Sequence, residues 1–212
     1  MSNEPYKILK TGGEAECELK KSRFIAHLQP VETEAEAQDF VNLMKKRYYD
    51  ARHNCYAYVI GRDADKVKYS DDGEPSQTAG LPIFNVLKES GVRNCCIVVT
   101  RYFGGTLLGA GPLARMYAEA AKLGLEASEV ATLKYGVEFK ITSDYQNGDK
   151  IRRYLETQGI FIVDTFYTDK VSIVVRADFD DFEKVKEDIV SLTASKVEIS
   201  RISDAYFIDT KG

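Results

Sequence analysis

No apolar run in the 212 residues approaches the ~18 needed to cross a bilayer, so a helical transmembrane protein is excluded. There is no basic excess: 29 Lys+Arg stand against 33 Asp+Glu, a net charge of −4. That balance argues against a protein that coats duplex nucleic acid. The first twenty residues lack the basic start and apolar stretch of a secretory leader. Cytoplasmic residence is the expectation, with no membrane partner. Histidines number two and cysteines four, with no Cys-x-x-Cys pair. A zinc site would therefore lack its usual close-spaced ligands. Cys17, Cys55, Cys95 and Cys96 read as free thiols of a reducing compartment, mostly buried. Cys95 and Cys96 are adjacent in an apolar run and should point to opposite faces of a strand.

What remains is an ordinary globular composition, 44% hydrophobic and 29% charged. The length allows one large domain or two small ones. Proline and charge divide the chain. All five prolines lie at or before Pro112. Residues 1–128 hold 17 basic and 17 acidic side chains, whereas 129–212 hold 12 and 16. We place domains at 1–130 and 131–212, with a junction around Ser128–Thr132.

The second half alternates at Leu133, Tyr135, Val137, Phe139 and Ile141, the period of a strand. Ser143 with Gln146 makes a capping-box pattern opening a helix that ends near Gly159. Ile160–Thr168 and Lys170–Ala177 read as strands around a tight turn. Phe179, Phe182, Val185, Ile189 and Leu192 recur at helical spacing, and Val197, Ile199 and Ile202 close with a strand. This β-α-β-β-α-β order is the ferredoxin-like split βαβ sandwich, with helices on one sheet face.

The first half is also mixed. Glu14–Arg23 and Phe24–Val31 read as strands. Thr33 with Glu36 is a second capping box, ahead of a helix through Ala37, Phe40, Val41, Met44 and Tyr48. Asn54–Ile60 should pair with Lys66–Ser70, a helix lies within Thr78–Ser90, and Leu113–Leu125 is another. The continuous apolar run in Asn94–Phe103 suits a central strand covered on both sides. The fold class is α+β, two layered α/β domains.

Two loops carry unusual chemistry. The first, Asp71 to Gly80, crowds Asp71, Asp72, Glu74 and Ser76 into a turn before a helix. It could offer oxygen ligands to a cation, or it is a solvated turn with Ser76 or Thr78 as N-cap. It lacks the ligand alternation of a calcium-binding EF-hand. The second contains Arg101, Tyr102, Phe103, Gly104, Gly105, Gly109 and Gly111, leaving a buried strand for a helix. Amides at such a helix start can receive an anion, Arg101 offers a forked cation, and the two rings could stack. It is no Walker A loop, for no Lys follows the last glycine. Close helix–sheet packing is the competing reason for the small residues. His53 is a candidate acid or base beside Arg52. Lys20, Lys21, Arg23, Arg52 and Arg101 are candidates for a nucleic-acid-binding stripe. Gly109-Ala110-Gly111-Pro112-Leu113-Ala114 matches a GxGxxA dinucleotide pattern only loosely, no catalytic triad or metal-ligand set is found, no cofactor is expected, and no catalytic residue is assigned.

Several ordered motifs resemble the IMPACT/YigZ family. They are Lys20-Lys21-Ser22-Arg23-Phe24-Ile25-Ala26, Asp50-Ala51-Arg52-His53-Asn54-Cys55-Tyr56-Ala57-Tyr58, Ser70-Asp71-Asp72-Gly73-Glu74-Pro75-Ser76 with Thr78-Ala79-Gly80-x-Pro82, Val99-Thr100-Arg101-Tyr102-Phe103-Gly104-Gly105 and Leu108-Gly109-Ala110-Gly111. The resemblance implies a first domain with the left-handed βαβ layered fold of ribosomal-protein and elongation-factor domains. It implies a second domain similar to one of elongation factor G. Gln77 and Pro112 depart from the family pattern, which usually has Gly at both places. The resemblance also implies a cytosolic, non-enzymatic regulator linked to translation, with RNA or the ribosome as partner. A protein-interaction module that sequesters another factor and an enzyme acting on a small phosphorylated ligand stay open beside it.

Overall fold

Alternation and helical spacing become eleven strands and five α-helices in a computed structural model that describes residues 3–209. The order is β1 (Tyr6–Thr11), β2 (Glu14–Leu19), β3 (Ser22–Pro30), α1 (Glu34–Arg47), β4 (His53–Ile60), β5 (Lys66–Ser70), α2 (Gly80–Ser90), β6 (Val92–Arg93), β7 (Cys95–Tyr102) and α3 (Ala110–Glu126). Then follow β8 (Glu129–Ser143), α4 (Tyr145–Thr157), β9 (Phe161–Tyr167), β10 (Val171–Asp178), a 3-10 turn (Phe179–Asp181), α5 (Phe182–Leu192) and β11 (Glu198–Ile208). Two compact units result, one of residues 6–132 and one of residues 133–209 with 3–5.

In the first unit β2-β3-β7-β4-β5 form a sheet, and β1 makes a short parallel pair with β6. β7 lies at its centre, antiparallel to both β3 and β4. Its residues alternate between two cores, as the apolar run implied. Cys95, Ile97 and Val99 face α2 and α3, while Cys96 and Val98 face α1. The sheet gains from burial on both faces, each fully buried aliphatic side chain contributing about 1.5–3 kcal/mol.

Three local expectations are corrected. The segment Glu14–Arg23 is broken by a two-residue turn, Lys20-Lys21, with φ of 50° and 64°. Positive φ at both positions gives the hairpin turn whose twist matches its strands. Neither Ser76 nor Thr78 caps α2; the N-cap is Ala79, which offers no side chain to the helix. The helix α4 is capped by Asp144, one residue beyond the expected Ser143, through Asn147 N–H. Thr33 does cap α1, its hydroxyl accepting from Glu36 N–H at 3.2 Å, and the Glu36 carboxylate accepts from Glu32 N–H.

The second unit is the antiparallel sheet β11-β8-β10-β9, the split βαβ order. β10 alternates buried and half-buried residues. Its Val171, Ile173 and Val175 join Val137, Phe139 and Ile141 of β8, under Ile151 and Leu155 of α4 and Phe182, Val185 and Ile189 of α5. Both helices thus lie on one face. No loop separates the two halves of the chain, because β8 runs unbroken from Glu129. No helix among the described residues is long and apolar enough to cross a membrane.

Candidate functional site

The acidic loop is wired internally. Asp71 is the cap that α2 lacks at Ala79: its carboxylate accepts from Gln77 N–H (2.8 Å), Ala79 N–H (3.0 Å) and Gly80 N–H (2.8 Å). The free amides of a helix start attract a carboxylate, and here it comes from nine residues earlier. Gln77 completes the turn at φ 62°, a left-handed backbone in which glycine is unstrained. Asp72 accepts from Asn54 N–H at 2.8 Å and pairs with Lys45. Ser76 is exposed. Of the three carboxylates expected as ligands, Asp71 and Asp72 thus serve the fold through these bonds. Among the described residues no group of three or more His, Cys, Asp or Glu could hold a metal ion.

Glu74 behaves differently. It is buried, and its Oε1 accepts from Arg101 Nη1 (2.7 Å) and from the Tyr117 hydroxyl (2.8 Å). His53 Nε2 lies 4.0 Å from the same oxygen. His53 Nδ1 is 2.9 Å from the Asp72 carbonyl. A carbonyl only accepts, so Nδ1 carries a proton, and Nε2 faces Glu74. Tyr117 stands edge-on to Phe24, and burial raises its hydroxyl far above the ordinary tyrosine range. It remains a donor.

Arg101 sits at the end of β7 and is only 7% exposed. Its guanidinium lies 5.5 Å from the Phe24 ring centre and 5.7 Å from that of Phe103. Nη1 serves Glu74, but Nε is buried without any partner. Buried donors are nearly always satisfied, so this one calls for an explanation. β7 alternation sends Tyr102 the other way, where its hydroxyl donates to Asp50 at 2.7 Å. Tyr102 and Phe103 therefore do not form one stacking platform.

The glycine loop divides into packing and open positions. A Cβ on Gly104 would stand 2.1 Å from the Lys21 carbonyl carbon, so this glycine lets the loop lie on the Lys20-Lys21 turn. Gly105 and Gly109 have φ of 85° and 79°, and a Cβ on either would meet nothing within 4 Å. Gly111 is nearly as open, its nearest neighbour being Arg115 Nη1 at 3.7 Å. Gly109 is the N-cap of α3 and supplies no side-chain cap. Pro112, two residues into the helix, has no N–H to offer, and Leu113 N–H is already bonded to Gly109 O. The unbonded start of α3 is thus the amides of Ala110 and Gly111.

These parts surround a cleft of about 420 Å³, lined by Arg52, His53, Glu74, Arg101, Phe103 and the Leu107–Ala110 segment, with Gly73, Pro75 and Leu113. Of the ligand candidates, His53, Glu74, Arg101, Phe103 and Gly109 line the cleft; Asp71, Asp72, Ser76, Tyr102, Gly104, Gly105 and Gly111 do not. Of the basic stripe only Arg52 and Arg101 line it. Arg101 is inside the protein, and Arg23 is neutralised by a two-pronged bond to Glu16 at 2.7 and 2.9 Å. Lys20 and Lys21 are confined to the hairpin turn. Sequence reasoning missed Tyr117, the one hydroxyl on the buried face of α3, whose need for a partner was the available signal.

The comparisons match this architecture. The Impact N-terminal domain model matches residues 20–125, which hold every cleft residue. A Bacillus subtilis protein, IMPACT family member YvyE, is 39% identical over 194 residues, covering 92% of this chain and 89% of that protein. The chain belongs to the IMPACT family. An IMPACT family member from Haemophilus influenzae is 30% identical over 92% of the chain and 95% of its own length. A domain of unknown function, DUF1949, matches residues 141–196. A solved structure described as a hypothetical protein superposes with a TM-score of 0.60 at 29% identity, covering 94% of this chain and 98% of its own.

Proposed function

We propose that this IMPACT family protein is a regulatory binding protein whose first unit takes a small anionic ligand in the cleft at the start of α3. The observation that carries this is Arg101, nine-tenths buried on the cleft wall with an unpartnered Nε. Beside it, α2 has a carboxylate on its first amides and α3 has none. The lining holds Arg52 and Arg101 against Glu74, an excess of positive charge. An anion there meets a helix start and a cation together.

The translation-linked reading, with RNA or the ribosome as partner, draws on the family resemblance. It has less support from the surface, since long phosphate tracks need several exposed cations. Arg101 is buried and Arg23 is paired.

Calorimetric melting of the whole chain tests the proposal against inorganic phosphate, phosphorylated nucleosides and aromatic carboxylates. A ligand at a hundred times its Kd should stabilise the first unit by about 2.7 kcal/mol. A melt unmoved by every compound, with salt-dependent co-sedimentation on ribosomes, would favour the RNA reading instead.

A further inference from the structure

Resting on the cleft as an anion site, we infer that its ligand is a nucleoside 5′-monophosphate, free or as the phosphorylated end of an RNA strand. The cleft has three chemically distinct parts, and this ligand class satisfies each.

The first part is the phosphate seat. Ala110, the first helical residue of α3, lines the cleft, and no side chain caps the helix start. The space above Gly109 is empty to 4 Å, and Gly111 has Arg115 Nη1 as its nearest neighbour. Arg52 and Arg101 complete the cationic surround. Arg101 supplies the independent sign that something is missing, being buried with Nε unpartnered. A dianionic phosphomonoester, with three acceptor oxygens, matches a site of several donors better than a single carboxylate does.

The second part is a flat apolar wall. Phe103 is 47% exposed at the cleft, and Pro75, Leu107, Leu108 and Leu113 line it too. The Arg101 guanidinium sits 5.7 Å from the Phe103 ring centre, so the ring is braced from the protein side while much of it stays open. An open ring of this kind stacks a base without regard to its identity.

The third part is a pair of polar side chains, Glu74 and His53. Glu74 accepts from Arg101 and Tyr117, and His53 commits its Nδ1–H to the Asp72 carbonyl and turns Nε2 toward Glu74. Nucleobases carry both N–H donors and ring acceptors, and a carboxylate and an imidazole can meet either kind. The volume of about 420 Å³ lies in the range of small-molecule sites.

Titration calorimetry on the full chain tests this with five probes. They are a nucleoside 5′-monophosphate, the same nucleoside without phosphate, inorganic phosphate, and a short oligoribonucleotide with a 5′-phosphate or a 5′-hydroxyl. The monophosphate should bind at least about tenfold more tightly than the nucleoside or inorganic phosphate, since each half forfeits charge-assisted or stacking contacts. Arg52→Ala and Phe103→Ala, both at exposed positions, should each weaken it by about tenfold. Tighter binding of the 5′-phosphorylated oligonucleotide than of its 5′-hydroxyl form assigns the strand end, and binding of the mononucleotide alone assigns the free nucleotide. If inorganic phosphate or an aromatic carboxylate binds in the cleft as well as the mononucleotide, the ligand class is wrong while the anion site stands. If no anion binds, or binding survives both substitutions unchanged, the site itself is wrong.

Discussion

Removing the Arg101 guanidinium should destabilise the first unit more than any surface change. In Arg101→Met the Glu74 carboxylate, 3% exposed at its side chain, keeps only the Tyr117 hydroxyl and a histidine nitrogen 4.0 Å away. Breaking a buried pair from one side costs about 3–5 kcal/mol, because the remaining charge is left uncompensated. For a unit of this size each kcal/mol moves the melt by about 3–5 °C, so the expected fall is about 9–25 °C. Adding Glu74→Gln should restore at least about 2 kcal/mol, since an amide still accepts from Tyr117 and needs no cation. With no tryptophan and 13 tyrosines in the chain, urea titrations followed by near-ultraviolet circular dichroism read this directly. A loss under about 1 kcal/mol in Arg101→Met, or additive losses in the double variant, would refute the view of Glu74 as a buried charge held by Arg101.

Asp71→Ala should cost about 1–2 kcal/mol by uncapping α2, seen as a lower urea midpoint, with Asp71→Asn recovering part of it. Gln77→Gly should raise that midpoint by about 0.5 kcal/mol, the relief of a left-handed φ exceeding the entropy glycine adds to the unfolded chain. Burial lowers the pKa of His27, whose Nδ1 meets Glu14 at 3.1 Å and whose Nε2 has no partner. The unfolded chain therefore binds this proton first: stability is full above the unfolded value of 6.5 and falls as pH drops through it, until the folded value is passed. His27→Gln should flatten that slope between pH 7.5 and 5, while an unaltered slope would show that His27 does not contribute. Burial also raises the thiols, Cys17 to about 11 and Cys55, Cys95 and Cys96 higher still. Maleimide at pH 8 should label at most Cys17 in the folded protein and all four after denaturation.

The layered fold was legible because its signals are periodic. The β8 alternation, the α1 capping box and the opposite facing of Cys95 and Cys96 are local patterns with one geometric outcome each. The turn at Lys20-Lys21 was missed because neither residue belongs to the usual turn set. Partners across the chain were also hidden. Asp71 caps α2 across a loop, Arg101 reaches Glu74, and Tyr117 comes from α3, 43 residues after Glu74. The sequence placed Arg101 both in an anion-binding loop and in a basic stripe, and arginines are mostly exposed. Here a carboxylate and two rings take it inside. The same burial marks the candidate site.

The most direct test of the anion cleft is an amide-resolved NMR titration of the full chain with inorganic phosphate at low salt. Shifts should concentrate at Gly109, Ala110 and Gly111, with the His53 and Arg101 side chains following. Shifts confined to Lys20–Arg23, or none at the start of α3 at saturating phosphate, would contradict it.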